Sequence, residues 1–336
     1  MLVIRLGAIG DVLLAIPLVR MLKNACPDCA IDFLVKNAYV SLLESNPHID
    51  RVLAFSPRGG IREMARMIRR IRDLRYDAVI DLQGNLRSRM VTLASRAAIR
   101  SRARLNRWRR FLLVHLRWDT YRTPLPVPLK YLRAAPFPVA DDGKGLELWI
   151  PADAEANVRF QLEARGIRNQ DRIVGLAPGA GRATKRWPAE GFAETGQALS
   201  QKGWKIVVVG GEGDSGICGD VHRNIRMHSA DFSGRLSLVE TAALIRRCDL
   251  LVTNDTGAMH MASAVGTKIL AVFGPTTRHF GFFPFRSEAA VIEKPLGCRP
   301  CSYHGTERCP KTHFRCMLDI SSREAVEQAL DLLNAR

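Results

Sequence analysis

The sequence predicts an α/β protein built from two successive doubly wound domains, each a parallel sheet covered by helices. Three observations carry this. Short apolar runs alternate with amphipathic stretches at helical spacing, the pattern of parallel βαβ units. The chain has 336 residues, more than a typical single compact domain and suited to two. The same alternation starts again after residue 150, so each half has a core of its own.

In the first half, Met1–Leu6 reads as a strand, Gly7–Asp11 as a turn and Val12–Asn24 as a helix. A strand at Ala30–Val35, a helix near Tyr39–Ser45 and a strand at Arg51–Ala54 follow. An arginine-rich amphipathic helix is expected over Ile61–Leu74 and a buried strand over Tyr76–Leu82. Thr123–Pro138 holds five prolines and reads as a connector, not a helix. The first domain is placed at residues 1–150, ending near Trp149-Ile150-Pro151. In the second, placed at 151–318, Ala152–Arg165 and Pro188–Lys202 read as helices. Arg172–Ala177, Lys205–Val209, Leu250–Thr253 and Ile269–Phe273 read as strands, with a helix at Ala258–Val265. A last helix within 319–336 has a start signal in Ser321 with Glu324 three residues on.

The formal net charge of +17 is concentrated. Residues 58–133 hold twenty Lys or Arg against five Asp or Glu, and the remaining residues are nearly neutral. Such a region implies an electrostatic partner: anionic lipid, phosphorylated saccharide or nucleic acid. The longest early apolar stretch, Val12–Val19, is too short for a membrane span and contains Pro17. A cytoplasmic protein with at most peripheral membrane contact is expected. Its eight cysteines are then not read first as disulfides.

Several turns at strand ends could carry chemistry. Asn254-Asp255-Thr256-Gly257-Ala258-Met259-His260 follows a strand and opens a helix, whose free N–H groups and dipole favour a phosphate. Gly257 permits close approach, Thr256 offers a hydroxyl, and His260 lies one turn inside. The plainer reading makes Asp255 and Thr256 helix caps and His260 a core residue. Pro178-Gly179-Ala180-Gly181 leads into Thr184-Lys185-Arg186-Trp187-Pro188, supplying backbone donors, a hydroxyl and a point charge. Alternatively it is an ordinary loop before a helix. Glu212, after Gly210-Gly211, could accept a ribose hydroxyl or be a solvated acid. Gly7-x-x-Gly10-Asp11 lacks the three spaced glycines of a dinucleotide fingerprint. Asp11 at that turn is either an N-cap or a base for a sugar hydroxyl.

Taken in order, Gly10-Asp11-Val12-Leu13, Asp81-Leu82-Gln83-Gly84, Pro178-Gly179-Ala180, Lys185-Arg186-Trp187-Pro188 and Asn254-Asp255-Thr256-Gly257-x-x-His260 resemble glycosyltransferase family 9, the lipopolysaccharide heptosyltransferases. The resemblance spans essentially the whole chain. It implies the GT-B fold, two Rossmann-like domains facing across a cleft, with a C-terminal helix returning to the first domain. It implies an ADP-heptose donor held by the second domain and a lipid A–Kdo or inner-core acceptor on the first. The reaction would invert the anomeric centre without a catalytic cofactor. Asp11 matches the family's base, Lys185 its diphosphate lysine, and Asp255, Thr256, Gly257 and His260 its donor loop. Gly10 and Gly179, within the quoted motifs, join the donor set, as do Thr184 and Glu212 on looser matches.

Within the basic region, Arg62, Arg66 and Arg69 share one helix face and are candidate acceptor contacts, for an acceptor embedded in the anionic inner membrane. The alternative is solvated surface. Cys298-x-x-Cys301, with Cys309 and Cys316, could close a tetrathiolate site for structural zinc or iron, or remain free thiols. Related autotransporter heptosyltransferases carry a four-cysteine iron site of different spacing. Cys26-Pro27-Asp28-Cys29 reads as incidental. Competing readings are transfer of another sugar, a basic nucleic-acid-binding protein and a nicotinamide oxidoreductase. The basic region lacks stacking aromatics and any known nucleic-acid module, and the dinucleotide glycines are missing.

Overall fold

The structure is a computed structural model, and it describes residues 1–335 apart from 122, 226 and 228. The chain divides into two compact units, one formed by Met1–Arg107 with Leu125–Trp149, the other by Trp108–Pro124 with Ile150–Arg336.

The first unit has five strands: β1 Leu2–Ile4, β2 Asp32–Lys36, β3 Arg51–Phe55, β4 Ala78–Asp81 and β5 Ile99–Arg102. They form one parallel sheet in the order β3-β2-β1-β4-β5. Val3 of β1 lies opposite Phe33 on one side and Ile80 on the other. Leu2, Ile4, Leu34, Leu53 and Val79 are almost fully buried against Met64, Met67 and Ile71 of helix Gly60–Asp73. Each such side chain contributes about 1.5–3 kcal/mol on burial. Continuous apolar strands of this kind are what a sheet covered on both faces requires.

The second unit has six: β6 Ile173–Ala177, β7 Lys205–Val208, β8 Ser229–Asp231, β9 Leu250–Asn254, β10 Lys268–Phe273 and β11 Ala289–Glu293. Their order is β11-β10-β9-β6-β7-β8, all parallel. In both sheets the chain steps outward from a central strand and then returns to that strand's other side. The reversal falls between β1 and β4 in one sheet and between β6 and β9 in the other. Crevices at the carboxyl ends of such strand pairs are where doubly wound sheets bind ligands.

Several expectations change. The C-terminal helix, Ser322–Asn334, packs in the second unit: Ala325 and Ala329 are fully buried in its core. Its address is set by Trp187, whose indole N–H donates to the Ile320 carbonyl at 3.1 Å just before the helix starts. Trp108–Pro124, inside the expected first domain, clusters with the second unit, where Leu113 and Val114 pack with Phe280. The proline-rich connector contains a short helix, Val127–Leu132, because its proline sits in the first turn, where no N–H is needed. The segment near Tyr39 is a 3₁₀ helix, Asn37–Leu42. Cys26 and Cys29 are joined in a disulfide, brought together by a turn in which the Cys29 N–H donates to the Cys26 carbonyl at 3.1 Å.

Candidate functional site

A buried polar cluster in the second unit stands at the reversal between β6 and β9. Asn254, the last residue of β9, has no solvent exposure. Its Nδ2 donates to the Pro178 carbonyl at 2.8 Å, and its Oδ1 accepts the Trp187 N–H at 3.0 Å. One side chain thus holds both ends of the loop leaving β6. Gly179 leaves room in that loop for Asp214: a Cβ there would stand 2.3 Å from the Asp214 carboxyl carbon and would displace it.

Inside the loop, Lys185 ends a 3₁₀ turn and its Nζ lies 2.8 Å from Asp255 Oδ2. The same oxygen accepts from the Thr276 hydroxyl at 2.8 Å. Both ionic side chains are mostly buried, at 17% and 8% exposure, so the pair is little screened by solvent. Thr184 behaves differently from its expected role as a phosphate donor. It is buried, and its hydroxyl donates to the Thr306 carbonyl at 2.8 Å while accepting the Thr306 N–H at 2.7 Å. Gly305 packs so closely on Lys185 that a Cβ there would meet the lysine Cγ at 2.8 Å. The cysteine-bearing loop therefore braces the lysine turn.

Thr256 precedes helix Gly257–Val265 in extended conformation, and its side chain makes no cap hydrogen bond. The expected alternative, a simple side-chain cap, is not what forms. Main-chain N–H groups at a helix N-terminus without a side-chain cap are suited to an external acceptor. His260 is buried one turn inside the helix. Glu212 is exposed in the turn after β7, one strand over from the lysine loop.

The first unit repeats this arrangement at its own reversal. Asp11 is the third residue of helix Ile9–Leu13, not its N-cap, and its Oδ2 accepts the Ala8 N–H at 3.3 Å. The same oxygen lies 2.5 Å from an Arg5 guanidinium nitrogen, with Asp11 23% exposed. Arg5 is buried, donates to the Leu82 carbonyl at 2.8 Å and sits 5.8 Å from the centre of the Tyr131 ring. Burial works against its charge, but Tyr131 and Asp11 outweigh that and raise its pKa above the ordinary value. Gly10 lies buried in the same helix. Gly7 has φ +139°, and a Cβ would stand 2.3 Å from the Tyr39 ring, so only glycine fits. At the end of β4, Asp81 accepts from the Gln83 and Gly84 N–H groups and the Ser88 hydroxyl, which fixes that turn.

Arg62, Arg66 and Arg69 are exposed on helix Gly60–Asp73, and Arg66 pairs with Glu63 at 2.6 Å. Among the described residues no three His, Cys, Asp or Glu side chains are placed to hold an ion. Cys316 is drawn into the apolar core beside Met317, and burial pushes its thiol up to about 11. Burial likewise raises Cys301.

Asn254, Arg5, Thr276 and Thr306 escape a reading of the sequence. Asn254 stands inside a motif that singles out its neighbours, and Arg5 directly follows the apolar strand β1, where a charge signals a buried partner. Thr276 and Thr306 carry no local signal.

The family model described as "Glycosyltransferase family 9 (heptosyltransferase)" matches residues 64–311. Lipooligosaccharide heptosyltransferase 2 of Haemophilus influenzae is 27% identical, covering 97% of this chain and 96% of its own. Among solved structures, a family 9 glycosyltransferase from Veillonella parvula aligns at TM-score 0.83 and 24% identity, over 99% of this chain and 96% of that one. The E. coli ADP-heptose lps heptosyltransferase II aligns at TM-score 0.76 and 23% identity, over 99% and 98%. These likenesses show the GT-B fold, two Rossmann-like α/β units. With its doubly wound units and a family match across most of its length, the chain belongs to glycosyltransferase family 9, the heptosyltransferase family, and is a glycosyltransferase.

Proposed function

We propose that the protein transfers heptose from ADP-heptose to the inner core of lipopolysaccharide, a lipid A–Kdo or heptosyl acceptor, with inversion and with Asp11 as general base. The observation that carries this is the pairing of Lys185 with an uncapped helix N-terminus at the β6/β9 reversal. A diphosphate there meets main-chain N–H groups, the helix dipole and one ammonium. The named activities of the relatives point the same way.

In the proposed step the acceptor hydroxyl loses its proton to Asp11 as its oxygen bonds to the anomeric carbon. The bond from that carbon to the β-phosphate oxygen breaks, and ADP leaves with the electron pair. Both Asp11 contacts fall on Oδ2, so Oδ1 is the oxygen that receives the proton. Lys185 stabilises the charge growing on the leaving diphosphate. When it turns to phosphate, the Thr276 hydroxyl keeps Asp255 in place. Gly179, Thr256, Gly257 and His260 complete the donor site, and Glu212 reaches a ribose hydroxyl. The displacement needs no cofactor. A lipid-borne acceptor puts the enzyme at the cytoplasmic face of the inner membrane, and no helix of the described residues is long and apolar enough to cross one.

The test offers the purified protein a panel of nucleotide sugars with truncated lipid A–core acceptors and reads product mass and released nucleotide. Heptosyl product with ADP is expected. Turnover only with a different sugar nucleotide would overturn the donor assignment.

A further inference from the structure

The arginine-rich surface of the first unit lies beside an apolar stripe on the same unit. Helix Leu86–Ala94 turns Ser88 and Val91 inward, while Leu86, Met90 and Leu93 are 76%, 45% and 68% exposed. At 3.6 residues per turn these three fall in a sector of about 60°, with Arg89 at its edge. Helix Gly60–Asp73 packs alongside, joined where Arg72 Nε donates to the Ala94 carbonyl at 3.0 Å, and exposes Arg62, Arg66 and Arg69.

Charge alone suits any polyanion. The stripe discriminates among them, because a soluble saccharide or a nucleic-acid backbone makes no use of three exposed aliphatic side chains on one helix face. Single exposed apolar residues are ordinary. A row of them bordered by arginines has the composition of a helix lying in a lipid interface. Guanidinium groups pair with lipid phosphates, and the aliphatic row enters the acyl boundary.

We infer that the face formed by helices Gly60–Asp73 and Leu86–Ala94 docks on an anionic lipid bilayer, with Leu86, Met90 and Leu93 inserted and the arginines on headgroup phosphates. This deepens the proposed function by supplying the surface on which a lipid-borne acceptor would be met. It is tested without acceptor or donor, so either reading can fail alone.

The experiment is co-flotation of the full chain with vesicles of phosphatidylcholine alone, or with about one-third phosphatidylglycerol. Binding is expected only with the anionic vesicles, and weakens as salt rises. The variant Leu86→Gln/Met90→Gln/Leu93→Gln should partition about ten-fold less, and the single Met90→Gln about three-fold less. Both should keep ADP binding, which belongs to the other unit. The variant Arg62→Gln/Arg66→Gln/Arg69→Gln should lose the preference for anionic lipid. Equal binding to neutral vesicles would overturn the inference, as would undiminished flotation of the triple glutamine variant. Salt-sensitive RNA binding without flotation would replace the bilayer with a nucleic acid.

Discussion

The Asn254 side chain accepts the backbone N–H of Trp187 at 3.0 Å, and through its Nδ2 it also holds the Pro178 carbonyl at 2.8 Å. The loop carrying Lys185 is therefore anchored at both ends by one buried carboxamide of the neighbouring strand. Asn254→Ala removes these bonds and leaves a buried donor and acceptor unpaired, at a cost of about 1–3 kcal/mol. Asn254→Asp instead sets a carboxylate oxygen against the Pro178 carbonyl. Both variants should unfold at lower temperature, and calorimetry should show ADP binding weakened about ten-fold or more. Unchanged ADP affinity would mean that the loop keeps its shape without the clamp.

Lys185 and Asp255 offer a test that separates stability from binding. Lys185→Ala leaves Asp255 buried with only the Thr276 hydroxyl as partner. The expected destabilisation is about 2–4 kcal/mol, somewhat below that of a fully enclosed pair because Lys185 keeps some exposure. Adding Asp255→Asn removes the stranded charge and should recover most of the unfolding temperature. ADP affinity should stay about ten- to a hundred-fold down in both variants, with adenosine binding little altered. Recovery of ADP affinity in the double variant would deny Lys185 a role at the diphosphate.

How far these features can be read in advance depends on their range along the chain. Central strands such as Leu250–Asn254 are legible because burial on both faces demands continuous apolar runs. The edge strand β5, Ile-Arg-Ser-Arg, is exposed and reads as loop. The three-residue β8 is too short for any periodicity. Amphipathy shows that helix Ser322–Asn334 needs a partner but cannot say which, and here Trp187 and Ile320 decide. The phosphate-type turns are legible because they are local, a strand end followed by glycine and a helix. The clamp and the brace are not, since Asn254 meets Pro178 across 76 residues and Thr184 meets Thr306 across 122.

The first unit carries an acid-sensitive tie. Arg20 is buried in helix Ile16–Ala25 and grips Asp142 with Nε at 2.7 Å and a terminal nitrogen at 3.2 Å. Burial alone raises the Asp142 pKa, but the Arg20 bonds and the Lys144 N–H outweigh it and leave the carboxyl below its ordinary 3.8. A depressed folded value stabilises fully above the ordinary pKa and is lost as pH falls through the folded one. The stability difference between the native chain and Asp142→Asn should therefore stay level, at about 1–3 kcal/mol, from neutral pH to about pH 5, then shrink below about pH 4. Denaturant titrations across that range check it. A difference that grows on acidification would contradict the ion pair.

Asp11 is gripped through one oxygen only, by Arg5 at 2.5 Å and Ala8 at 3.3 Å. Asp11→Asn keeps the shape and can still accept the Ala8 N–H through its amide oxygen, but it cannot take a proton. Loss of a general base should lower kcat by about 10²–10⁴. ADP affinity and the KM for donor should change less than about two-fold, because the proposed diphosphate contacts lie in the other unit. Asp11→Ala should be as inactive, with the same ADP binding. Arg5→Lys tests positioning: a single ammonium cannot hold the Leu82 carbonyl and Asp11 with two separate nitrogens, as the guanidinium does. Its kcat should fall about ten-fold while Asp11→Asn/Arg5→Lys falls no further than Asp11→Asn alone, since an orienting residue has nothing left to orient. Single-turnover assays on the four proteins decide the matter, and more than about a tenth of native kcat in Asp11→Asn would remove Asp11 from the role of base.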